Sequence, residues 1–364
     1  MPPRLNGSET TASSDLDPLS QATLGALAAR AVVPRHFCAG ARAPVLVVGA
    51  AAGALPDIDV LFSIGGDFYD SLITHRGITH SLFFAPVIGP LLGWLVYRWR
   101  RRTHSPDAAG EARLWMLACA AALWSHPLLD VLTPYGTQLL LPFSDARFAV
   151  WAMPIIDPLY TGVLVLGVVL AARLAQARMA ALVVLCISST YLAYGWHLNG
   201  QARNYAARDL ASQGVTGADV EAFPTVLQPY LRRVVGRTPE RDYVGYLSMW
   251  DPCAVSWSSG ARTRGDLIEQ FEARRDGSTF HWFTMGFTHY TLREIPGRGE
   301  TLIAADLRYG TEPDPAVSVF SVSVPVLDGA LAPQQAEGGR FQPNTDRVGD
   351  VLGAVYGACV APAS

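Results

Sequence analysis

The chain has 364 residues, half of them hydrophobic and only 16% charged, with a net charge of −3. That balance is too apolar for an ordinary soluble enzyme and carries no basic footprint for a nucleic-acid partner. All 28 basic side chains are arginine, which excludes a lysine Schiff base and a P-loop lysine.

Residues 1–16 are polar and read as a disordered tail. Residues 19–34 are apolar but short and carry Arg30; a helix packing against a bundle suits them better than a signal peptide, because a polar lead with no basic n-region precedes them. Candidate spans follow at roughly 43–63, 82–99, 112–132, 158–175 and 179–197, each near the ~20 residues that cross a bilayer. The expected fold is therefore an α-helical membrane bundle of five to six spans over 17–197, then a linker and helices over 198–240. A small extracytoplasmic β-rich α+β domain is expected over 241–364.

Basic residues set the expected orientation. Arg30, Arg35 and Arg42 precede the first firm span, Arg98 and Arg100–Arg102 follow the second, and Arg173 and Arg178 flank the turn between the last two. These loops are expected in the cytoplasm. Loops 64–81 and 133–157 then lie outside, as does everything after residue 200.

From Tyr243 onward the pattern is one of strands: "YVGYLSMW", "CAVSWSS", "TFHWFTMGFTHYTL", "ETLIAADLRYG" and "AVSVFSVSVPVL" are rich in aromatic and β-branched residues. "GDLIEQFEARR" reads as a helix among them, and "FPTVLQPYLRRVV" as a helix before them. His281 and His289 alternate with aromatics and read as structural. Two of the five cysteines, Cys253 and Cys359, fall in the domain expected outside, where a disulfide can persist; two unpaired thiols are the alternative.

Ionisable groups beside hydrocarbon are costly, and here they cluster. Asp57 and Asp59 close the first firm span in "LPDIDVLF". His75 and His80 follow in "HRGITHS", and His126 and Asp130 sit in "HPLLDVLTPYGT" at the end of the third. Asp157 opens the fourth. His126 and Asp130, four apart, share one helix face. Imidazoles mixed with carboxylates suit zinc, with manganese or iron as alternatives, better than calcium or magnesium. The expected ligands are Asp57, Asp59, His75, His80, His126 and Asp130, holding one or two divalent ions. Arg76 is the expected partner of an anionic substrate oxygen, Asp157 an extra ligand or general base, and Thr79, Ser81, Thr133 and Tyr135 supporting groups. No HExxH or GxSxG occurs, so zincin proteases and serine hydrolases with a nucleophile elbow are excluded.

These motifs resemble the bacterial inner-membrane metal-dependent hydrolases (YdjM-like) over roughly residues 17–165, with the seven-residue loop the most specific part. "FPTVLQPYLRRVV" and "DLRYG" look like the C-terminal part of longer members. The resemblance implies a membrane-embedded hydrolase with a metal at the D-x-D, H-R-G-x-T-H-S and H-x-x-x-D segments. A looser similarity links D-x-D and H-x-x-x-D to zinc-dependent phospholipase C and related nucleases. One segment departs: where the family often has Asp-Pro-x-Thr-His, this chain reads "DPLSQATLG", with Ser20 and Gln21 in place of Thr and His. The function expected is a phosphoesterase acting on a lipid or lipid-linked substrate at the outer membrane interface. Two other classes fit the composition. A metal-ion or small-solute transporter would place its site near the midplane with internal repeats; a non-catalytic membrane assembly protein would bind no metal.

Overall fold

The computed structural model describes residues 17–34, 42–102, 110–225, 227–250 and 254–340. The tail 1–16, most of the loop after the second expected span, and Cys253 and Cys359 with their proposed pairing lie outside the described residues. The bundle comprises α1 (Pro18–Val32), α2 (Arg42–Ala54), α3 (Phe68–Thr74), α4 (Phe84–Arg100), α5 (Glu111–Asp130), α6 (Pro158–Arg173) and α7 (Ala177–Ser212). A 3-10 segment, Leu55–Ser63, continues α2, and a second, Ile78–His80, precedes α4.

By length and apolarity two of the described helices can cross a membrane: Ala43–Ser63, formed by α2 with its 3-10 extension, and Ala177–Ser212. A third crossing is available if Phe68–His80 and Phe84–Arg100, bent by 63°, form one broken span. α6 is apolar but shorter. The stretch around 19–34 is α1, whose Leu24, Ala26, Leu27 and Ala29 are buried against neighbouring helices.

Small residues set the helix spacing. A Cβ on Gly25 of α1 would lie 2.6 Å from the Gly49 carbonyl oxygen and 2.6 Å from Gly53 Cα of α2, so α1 and α2 touch backbone to backbone. Gly89 and Gly93 of α4 bring α5 equally close at Ala120 and Met116. Such contacts let helices associate by van der Waals packing where lipid offers no hydrophobic drive.

The C-terminal domain holds two antiparallel sheets. One has the order β1 (Asp219–Pro224), β2 (Leu231–Arg237), β3 (Arg241–Ser248) and β4 (Ser258–Ala261). The other runs β5 (Thr288–Ile295), β6 (Gly299–Asp306), β7 (Phe320–Leu327) and β8 (Ala330–Leu331), with β9 (Glu337–Arg340) on the other side of β7. In chain order, α8 (Asp266–Glu272) and α9 (Arg275–Phe283) fall between the strands of the two sheets.

Three boundaries differ from the sequence reading. Residues 198–240 are not a linker with helices: α7 runs to Ser212, and "FPTVLQPYLRRVV" supplies the end of β1 and most of β2. Arg232 and Arg233 look like a solvated pair but are both buried. Arg232 donates to the Trp151, Ala152 and Gly195 carbonyls and to Asn199 Oδ1, tying β2 to α7. "TFHWF" is the end of α9 rather than a strand, because Thr279, Phe280 and Phe283 turn inward at helical spacing. "CAVSWSS" contributes only its last residues to a strand, β4.

The β domain is fused to one end of the bundle. Tyr69, Leu72 and Tyr135 share a core with Phe280, Phe283, Phe320 and Val322. Arg308, ion-paired with Asp306 at 2.6 Å, donates to the Pro134 carbonyl at 2.9 Å. Arg147 donates to the carbonyls of Leu72, Tyr135 and Gly136. Backbone oxygens thus satisfy buried guanidinium groups across the junction.

Candidate metal centre

Several polar side chains at this end of the bundle are placed by local breaks in helical structure. Pro56 turns α2 into the 3-10 segment that carries Asp57 and Asp59. His75 caps α3, and Arg76 follows at φ +60°, a left-handed conformation costly for a side-chain-bearing residue. That turn aims the Arg76 amide at Asp59 Oδ2, 2.7 Å away, and its guanidinium at Asp130. His80 ends the short 3-10 turn, and His126 and Asp130 occupy the last turn of α5, with Pro127 beside them.

Three of the six expected ligands, Asp57, His80 and His126, meet, and Asp130 stands against both rings. His80 Nε2 lies 3.7 Å from Asp57 Oδ1 and 3.2 Å from Asp130 Oδ2. His126 Nε2 lies 3.3 Å from Asp57 Oδ1 and 3.5 Å from Asp130 Oδ2. The two ring nitrogens are buried and make no hydrogen bond. Asp57, His80 and His126 together could hold an ion. Asp130 abuts both rings, while Arg76 Nε ion-pairs with its Oδ2 at 3.1 Å.

The other two stand one layer out. Asp59 accepts from His75 Nδ1 at 3.1 Å through Oδ1 and from the Arg76 amide through Oδ2, which also lies 3.1 Å from His80 Nδ1. With its oxygens occupied, Asp59 orients His80 rather than facing the common point, and His75 belongs to the same outer layer. Of the six expected ligands, Asp57, His80 and His126 come together, Asp130 abuts both rings, and Asp59 and His75 stand behind them.

The tautomers follow from the partners. A carbonyl only accepts, so His126 Nδ1 donates to the Gly53 oxygen at 2.6 Å and turns its Nε2 lone pair inward. His80 Nδ1, between Asp59 Oδ2 and Thr79 Oγ1 at 3.0 Å, is oriented in the same sense. Both Nε2 lone pairs then face Asp57 Oδ1 and Asp130 Oδ2, the latter also 3.1 Å from the Arg76 Nε donor.

The charge count agrees with a dication. Asp57, Asp59 and Asp130 against Arg76 leave two negative charges when the imidazoles are neutral. Tetrahedral zinc with nitrogen and oxygen ligands at about 2.0–2.1 Å separates them by about 3.3–3.4 Å, close to the separations between these imidazole and carboxylate atoms. Asp57, His80 and His126 therefore fit a single divalent ion, with Asp130 beside both rings.

The remaining predicted groups have defined places. Thr79 Oγ1 donates to Asp59 Oδ2 at 3.4 Å. Arg76 Nη1 donates to Thr133 Oγ1 at 2.6 Å and to the Asp130 carbonyl at 3.2 Å, and its guanidinium lies over the Tyr135 ring. Ser81 is turned away, onto the Leu141 carbonyl. Asp157 is not brought to the cluster by any described contact. It caps α6, accepting from the amides of Leu159 and Tyr160 through Oδ1 and from Tyr191 Oη through Oδ2 at 2.7 Å.

Gln21 is a site residue that spacing alone did not identify. Its Nε2 donates to Asp130 Oδ1 at 2.9 Å, and its Oε1 is buried without a partner. The signal was present: this is the position where the chain departs from Thr-His. A narrow cleft reaches the cluster from this side. Asp17, Gln21, Asp57, Arg76, Asp130 and Thr133 line it together with Leu129, Met153 and Ile155.

Apolar helices whose ends gather imidazoles and carboxylates, capped by a β domain, define a membrane protein with a candidate metal centre. The chain belongs to the YdjM inner membrane protein family, whose model matches residues 16–202. It is 38% identical over 117 residues to "Inner membrane protein YbcI" of Escherichia coli (strain K12), a match covering 31% of this chain and 63% of that protein. It is 29% identical over 117 residues to "Uncharacterized protein YfhP" of Bacillus subtilis (strain 168), covering 31% of this chain and 32% of that one. The matched stretch thus spans less than two thirds of either relative. No solved structure matches the chain.

Proposed function

We propose that this protein is a multi-pass, metal-dependent hydrolase of the bacterial inner membrane. It cleaves a phosphoester in a lipid or lipid-linked substrate, with the metal centre and β domain on the extracytoplasmic side. The observation that carries the proposal is the meeting of His80 Nε2 and His126 Nε2 with Asp57 and Asp130 at 3.2–3.7 Å, where the two ring nitrogens make no hydrogen bond. Those four residues would hold one divalent ion, zinc by donor type, with manganese or iron as the alternatives. When bound, such an ion supplies positive charge to a phosphoryl oxygen and lowers the pKa of a water to about 7.

The chain's own groups do the rest. Asp59 and the Gly53 carbonyl fix the two rings. Arg76 lines the cleft, where its planar guanidinium suits an anionic phosphoryl oxygen. Asp57 Oδ2, buried and without a partner, is placed to accept a proton, the role the sequence reading gave to Asp157. A cleft lined by both polar and apolar side chains at the ends of membrane helices suits an amphiphilic substrate. The position at helix ends also weighs against a transporter, whose site belongs near the midplane.

The test is metal analysis of the purified full chain, then a panel of phosphoester lipids. One divalent ion per chain is expected, lost together with activity in His126→Ala. The wild-type chain carrying no metal after growth with zinc, manganese and iron would overturn the reading, since two protonated imidazoles balance the same charges. A metal-loaded chain inactive on every phosphoester would leave the centre standing and remove the substrate class.

A further inference from the structure

We infer that the C-terminal domain is seated on the lipid surface through Tyr230 and Trp250, which continue the lipid-facing stripe of α7. This stands whether or not the cluster binds a metal.

α7 begins at Ala177, directly after the turn that follows Arg173, and its 36 residues are longer than one crossing needs. Its exposed apolar side carries Val183, Ile187 and Tyr194, 48%, 53% and 44% exposed. The spacings of four and seven put all three on one face. Opposite them, Ala181, Val184 and Ser188 turn inward. A stripe of this kind inside a helix apolar enough to cross a membrane faces lipid.

Tyr194 stands about 26 Å along the axis from Ala177 at ~1.5 Å per residue, near the far edge of a ~30 Å hydrocarbon layer. At that level the stripe passes to the β domain. The Tyr194 ring lies 6.4 Å from that of Tyr230, just before β2, which lies 5.4 Å from Trp250, just after β3. Trp250 is 62% exposed and Leu227 39%. An indole left open to water at the edge of a folded domain is costly; at a membrane interface it is at home, apolar ring toward the chains and N–H toward the headgroups.

A second ring pair stands at the same end of the bundle. Phe83, at the start of α4, stacks edge-on against Phe143 at 5.1 Å, and Phe143 is highly exposed. Together these rings form an aromatic belt at the domain-bearing end.

The test uses the full chain in liposomes of phosphatidylethanolamine and phosphatidylglycerol. Three variants carry p-benzoylphenylalanine, at Trp250, at Leu227 or at Glu240. Glu240 lies in the turn between β2 and β3, at the opposite end of that hairpin from Trp250, with β3 between them spanning about 23 Å at ~3.3 Å per strand residue. After irradiation, intact mass should show severalfold more lipid adduct at positions 250 and 227 than at 240. The Leu227 variant leaves the ring ladder intact, so a misfolded Trp250 variant does not decide the outcome. Equal labelling at all three positions overturns the inference. So does chain-to-chain crosslinking in place of lipid adducts at 250 and 227, which would mean that a second copy covers the patch.

Discussion

Asp59 and Asp157 are both buried aspartates near the ends of membrane helices, yet their contacts assign them different work. Asp59 orients a ring that faces the common point; Asp157 has both oxygens engaged in a helix cap and with Tyr191. Asp59→Asn should weaken metal affinity by about 10- to 100-fold, the usual cost of losing an outer partner of a metal-binding histidine, as competition with a chelator would measure. Asp157→Ala should leave metal content unchanged and lower stability by about 1 kcal/mol in detergent unfolding, the cost of a lost N-cap. Loss of metal in Asp157→Ala would return that residue to the centre. These groups were legible in the sequence because ionisable side chains beside hydrocarbon announce themselves. Their division into two layers was not, since it depends on which oxygen faces which nitrogen. Gln21 is uncharged and gave a weaker signal.

At the scale of the element, glycine packing positions the chemistry. Contact of Gly25 with Gly49 and Gly53 draws α2 against α1, and the Gly53 carbonyl so placed receives the His126 Nδ1 proton. Gly25→Ala is expected to cost about 1–3 kcal/mol, because its new methyl meets backbone atoms that cannot rotate away. It should also lower metal retention, by moving the carbonyl that fixes His126. Thermal unfolding and metal content read on the same sample check both halves; a destabilised chain with full metal would separate packing from the centre. α7 and α2 with its extension were legible from apolar runs of spanning length; α3 was not, since it lies in the stretch 64–81 read as a loop. The strands β1 and β2 were not, because Arg232 and Arg233 resemble a solvated charge pair while their guanidinium groups are buried on backbone carbonyls.

Across the whole molecule, the β domain carries its own pH dependence. Glu221 in β1 is largely buried, and that burial pushes its carboxyl up to about 7 from 4.5; Arg203, 3.0 Å away, offsets the rise only in part. A raised carboxyl binds more protons folded than unfolded. Its contribution to stability is therefore complete below pH 4.5 and lost as pH rises through about 7. Thermal unfolding of the wild type between about pH 5 and about pH 8 should show that decline, and Glu221→Gln should flatten it. An equally steep decline in the variant would assign the effect elsewhere.

Tyr135 links the two halves of the molecule: its ring meets His75 and Arg76 on one side and Phe283 and Phe320 on the other. Those two phenylalanines lie late in the chain, and β9, among the last described segments to be made, supplies Gly338, which packs against Phe68 of α3. A ribosome therefore delivers every group of the histidine–aspartate cluster long before it delivers what presses Tyr135 into place. During synthesis the helices must wait in the membrane with Tyr69, Leu72 and Tyr135 uncovered. A chain stopped at residue 212 should therefore insert yet bind metal more weakly than the full chain, as metal analysis of the two would show.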